Sequence, residues 1–213
     1  MLESSQASAI NQAAGSHPIT DDPRELEAAR RAAERSVREY PYYQARYGES
    51  AMRFGHSDGA WIALLAHDIQ RGVDEQVQWL GTVLACRGMP RLLLERHLDI
   101  LHEELAAAVP EARPRYEKLQ RAAEMLRALR LRVLSDDAMH ALAAEFDASV
   151  GGGGSAPIPR LGEIVVAAAI DERLGIPGAV ESIERWITDP ERFPSAWTEA
   201  LHRTLDEARE RMR

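Results

Sequence analysis

The residues best placed for chemistry lie between Leu92 and Val109. At a turn of about 100° per residue, Leu93, Leu94, His97, Leu101, Glu104, Leu105 and Ala108 share one side of a helix. His97 and Glu104 therefore fall inside an apolar stripe. An ionisable pair buried there costs stability unless each member finds a hydrogen bond, a metal or a ligand. A neutral imidazole beside a carboxylate is also a metal-ligand pair, which makes His97 and Glu104 the candidate metal ligands. Asp99 with His102, and Asp137 with His140, repeat a carboxylate-x-x-His spacing found in di-iron bundles. Asp99 and His102 lie on the polar side of their helix, and Asp137 sits in a first turn where an acid is expected anyway.

The segment Glu95-Arg96-His97-Leu98-Asp99-Ile100-Leu101-His102 resembles, over those eight residues, the proximal-histidine helix of globins. The resemblance implies a haem or other tetrapyrrole held by His97, with His67, 30 residues earlier, on the distal side. Other chemistries find no support. Cys86, the single cysteine, has no histidine near it in sequence to act as a base. No GxxxxGK[ST], strand-linked GxGxxG or GxSxG motif occurs.

The elements that would position these residues are helices. Asp21-Asp22-Pro23 starts one that runs to about Glu39, and Ser57-Asp58 caps another that ends near Arg71-Gly72. A third follows from Val73 to the Arg87-Gly88 stop, and Met89-Pro90 opens the His97 helix. Arg115–Leu134 is a fifth, and Ser135-Asp136-Asp137 caps a sixth running to about Val150. Beyond it, Leu161–Leu174, Ala179–Ile187 and Ser195–Met212 are helical, and no alternating strand pattern appears. The expected fold is all-α: a multi-helix bundle over residues 21–150 with a small C-terminal helical appendix over 160–213. Residues 1–20 read as a disordered tail, and the Gly/Pro-rich 151–159 as a linker.

Composition limits the function classes. Apolar residues at 45% and charged residues at 28% are ordinary globular usage, so the chain is expected to fold without help. One cysteine excludes an intrachain disulfide and favours a reducing, cytoplasmic setting. The longest strongly apolar run, Ile164–Ile170, is far short of the roughly 20 residues a membrane span needs. A net charge of −8 argues against a general nucleic-acid binder. The basic residues from Arg113 to Arg132 are spread around their helix and interleaved with glutamates, as on a solvated face.

Trp61 and Trp79 fall at apolar positions and read as core, whereas Trp186 and Trp197, in the short C-terminal part, read as anchors for a protein partner or as rings that dock on the main bundle. These features point first to a non-enzymatic helical module, regulatory or accessory, that binds a protein partner or a small ligand. An exposed aromatic patch would also serve a homodimer. The alternatives are a tetrapyrrole-binding sensor-type bundle using His97 and His67, and a metal-dependent enzyme using His97 and Glu104, with His102 as a further ligand.

Overall fold

The computed structural model describes residues 5–151 and 158–213, which form ten α-helices and, among the described residues, no strand. The helices are α1 (Pro23–Glu39), α2 (Tyr42–Tyr47), α3 (Ser50–Leu65), α4 (Gln70–Cys86), α5 (Arg91–Ala108), α6 (Arg113–Leu131), α7 (Asp136–Val150), α8 (Leu161–Arg173), α9 (Ala179–Ile187) and α10 (Ser195–Arg211). No helix among the described residues is long and apolar enough to cross a membrane.

Local chemistry sets most boundaries. Asp22 accepts from the Arg24 amide at 2.8 Å and Pro23 occupies the first position of α1, where its missing N–H costs nothing. Ser135 likewise accepts from the Ala138 amide ahead of α7. Gly88 leaves α4 with a φ of 85°, a conformation that costs any residue with a β-carbon.

Two expected boundaries are corrected. Ser57-Asp58 lies inside α3, where the Ser57 hydroxyl bonds back to the Phe54 carbonyl instead of capping an end. Gly72 lies inside α4, because the helix begins at the Asp68 corner, where the carboxylate accepts from the Ile69 amide at 2.7 Å. A β-carbon at residue 72 would come within 2.3 Å of that carboxylate.

The chain gathers into two compact units. The first contains residues up to Val77 together with Glu95–Met125, and the second contains Gln78–Leu94 together with Leu126–Arg213. This division differs from the expected boundary at 150. In the second unit α7 packs on α8 and α10, and α8 is not a peripheral element but nearly all buried from Leu161 to Asp171. A helix apolar on every side needs cover all round, which is why the Ile164–Ile170 run becomes the centre of its unit. The first unit holds the N-terminal segment expected to be disordered. Residues 7–9 and 12–14 form 3-10 turns, Ala7 and Ile19 are buried, and the Thr20 amide donates to the Ala60 carbonyl. Of the expected 151–159 linker, residues 152–157 lie outside the described residues.

Helix α8 meets α7 backbone to backbone. A β-carbon on Gly162 would lie 2.2 Å from the Ala143 carbonyl oxygen, and the Gly162 amide donates to Asp147 at 2.8 Å. Backbone cannot move aside as a side chain can, so Gly162→Ala is expected to cost about 3 kcal/mol. A urea titration followed by circular dichroism checks this as a lowered midpoint with an unchanged slope.

Candidate functional site

His97 points from α5 to the junction of α1 and α3 and is only 7% exposed. Its Nδ1 is 2.9 Å from the Ser36 hydroxyl, which is itself 2.9 Å from the Ala32 carbonyl. A carbonyl only accepts, so the Ser36 proton goes to Ala32 and the imidazole donates from Nδ1. Nε2 is left with a lone pair that has no hydrogen-bond partner. It faces Gly59 of α3, where a β-carbon would stand 3.5 Å away. Burial pushes the His97 pKa down to about 4, so the ring is neutral at physiological pH.

Glu104, on the same helix, is held elsewhere. It accepts from Arg31 and Arg35 of α1, each at 2.8 Å. Burial raises its pKa, but the two guanidinium bonds outweigh that and keep the carboxyl below its ordinary range. The expected metal pair is thus separated into two arrangements, an imidazole on a serine and a carboxylate in an arginine fork. Among the described residues no three metal-capable side chains come together. The two carboxylate-x-x-His pairs fall in different units, and Asp99 bonds Arg96 at 3.1 Å.

The tetrapyrrole pair is not assembled either. His67 is exposed just past the end of α3, with Nδ1 3.3 Å from an Arg115 guanidinium nitrogen. Gly59, beside the His97 ring, lies eight residues before it, roughly 12 Å along the helix at 1.5 Å per residue. Two imidazoles sharing one metal need their nitrogens about 4 Å apart across it, at about 2 Å per bond. The α3 backbone against Nε2 also stands where a macrocycle would lie.

Trp197 and Trp79 depart from their expected surroundings. Trp197, 0% exposed, stacks on Phe193 with ring centroids 4.5 Å apart, and Trp186 meets Phe193 edge-on at 4.9 Å. Trp197 is therefore core and presents nothing to a partner, while Trp186 is half-buried. Trp61 is half-buried and packs edge-on against His17. Trp79, expected in the core, is 58% exposed.

One polar cluster was missed from sequence. Glu25, 1% exposed in the first turn of α1, accepts from the hydroxyls of Thr20 and of Tyr116, the latter at 2.5 Å, and from Arg115. Arg115 also donates to the Tyr116 oxygen at 2.8 Å. A buried carboxylate with three donors is satisfied as an anion, and the cluster ties the N-terminal segment to α6. An acid in a first turn reads as a dipole partner, so spacing gave no sign of this inward bond.

No protein-family model, curated protein or solved structure matches the chain.

The buried neutral imidazole makes stability depend on pH. The unfolded chain takes up a proton at about pH 6.5 and the folded ring only at about 4, so stability is full above 6.5 and falls between those values. The expected loss is about 3 kcal/mol. His97→Asn keeps a donor toward Ser36 but cannot titrate. Urea midpoints measured from pH 7.5 to 3.5 should show a correspondingly smaller acid loss in the variant.

Proposed function

We propose that the chain is a non-enzymatic, all-α binding module, regulatory or accessory, that engages a partner protein through the Trp79 face of α4. The observation that carries the reading is the exposure of that side chain, 58%, on a helix whose Val73, Val77 and Leu80 are buried. Half-buried Val83 and exposed Cys86 follow Trp79 at helical spacing on the same face. Tryptophan offers a large, rigid apolar surface with a polar N–H, and it is enriched among residues that dominate binding energy. Covering its exposed part in a partner's cleft contributes about 3 kcal/mol by area. The single, exposed thiol of Cys86 suits the reducing cytoplasm to which we assign the protein. The engagement of His97 with Ser36 and of Glu104 with two arginines supports the binding reading over tetrapyrrole or metal chemistry.

A photo-crosslinking amino acid at position 79, compared with one at exposed Arg185, tests the reading. The expected result is an adduct specific to position 79, whose purified partner binds Trp79→Ala at least about 30-fold more weakly than wild type. Equal adducts at both positions, or unchanged affinity in the variant, would remove it.

A further inference from the structure

Between the ends of α8 and α10 in the second unit lies an open cleft of about 520 Å³, lined by Ala169, Glu172, Arg173, Arg209, Met212 and Arg213. Its volume lies in the range of small-ligand sites. Three guanidinium groups meet one carboxylate there. Arg209 is committed to Glu172 at 3.0 Å, which neutralises one charge of each sign. Arg173 uses only its Nε, on the Met212 carbonyl at 3.4 Å, so its two terminal nitrogens remain. The Arg213 side chain bonds to nothing among the described residues. Ala169 and Met212, both largely buried, are the apolar part of the lining. Asp206, Glu207 and Glu210 belong to the adjoining cleft, with Arg203, Arg209 and Arg213.

Carbonyl groups at the ends of two helices draw some of this positive charge, as the Arg173 bond to Met212 illustrates. They leave the terminal nitrogens of Arg173 and the whole Arg213 fork over. Such forks match the paired oxygens of phosphate and carboxylate, and an apolar lining favours a ligand with a hydrocarbon stem. We propose that this cleft binds a small organic dianion, held between Arg173 and Arg213 with its stem on Met212 and Ala169. The site is independent of the Trp79 face and adds a small-molecule input to the protein.

Isothermal titration of the full chain with phenyl phosphate, succinate and inorganic phosphate tests this. The expected result is saturable one-to-one binding of phenyl phosphate or succinate, tighter than inorganic phosphate; whichever of the two binds more tightly identifies the ligand as a phosphomonoester or a dicarboxylate. Arg173→Gln and Arg213→Ala should each weaken binding at least about 10-fold. Arg173 and Arg213 are exposed, so both variants are expected to keep the fold, which circular dichroism checks. No saturation by either organic probe up to about 10 mM, an affinity weaker than about −3 kcal/mol, overturns the proposal. So does binding that both variants retain unchanged, or inorganic phosphate binding as tightly as phenyl phosphate and succinate.

Discussion

Where α1 meets α3, a β-carbon on Gly55 would lie 3.0 Å from that of Ala33, and one on Gly59 would lie 3.2 Å from that of Ala29. The two helices approach as closely as their backbones and alanines allow. That approach buries the His97 ring, with Nδ1 donating to the Ser36 hydroxyl and Nε2 without a hydrogen-bond partner among the described residues. A wider spacing would admit solvent, restore the ordinary histidine pKa and leave Ser36 unable to bridge. Interiors packed at crystal-like density respond to single methylenes, and here the relevant unit is the absent methyl of a glycine. Gly162 applies the same constraint in the second unit, against the Ala143 carbonyl.

Buried charge is handled by donors brought from other helices. Glu25 draws on Thr20, Arg115 and Tyr116, Glu104 on Arg31 and Arg35, and Asp171 on the Arg91 amide at 2.8 Å and its side chain at 2.7 Å. The Asp171 contact places a carboxylate at the start of α5, where the helix dipole favours it. Each of these carboxylates would be costly alone in a core and is tolerable because its donors converge.

Helix ends were legible where the signal is local. Asp22-Pro23, Ser135 and Gly88 act on their own backbone, so their residue types suffice. Ser57-Asp58 carries the same types, yet packing of α3 on α1 carries the helix through it. The burial of His97 followed from the apolar stripe, but its serine partner did not, because Ser36 lies 61 residues away in sequence. Glu104 shares that stripe, but the arginines that claim it belong to another helix and could not be read from its own spacing. The exposure of Trp79 was not legible because helical spacing shows which residues share a face, not which face is covered.

The two units are built from interleaved stretches of chain, which bears on the order of events during synthesis. The first unit is complete in sequence once Met125 has been made. The second must hold Gln78–Leu94 until α8 and α10 have been made, a wait of roughly 6 to 23 s at translation rates of about 5 to 20 residues per second. During that interval Leu92, Leu93 and Leu94 lack the helices that share their unit. The nascent chain therefore passes through a stage at which the Arg91 amide and guanidinium still wait for the Asp171 carboxylate, 80 residues further along.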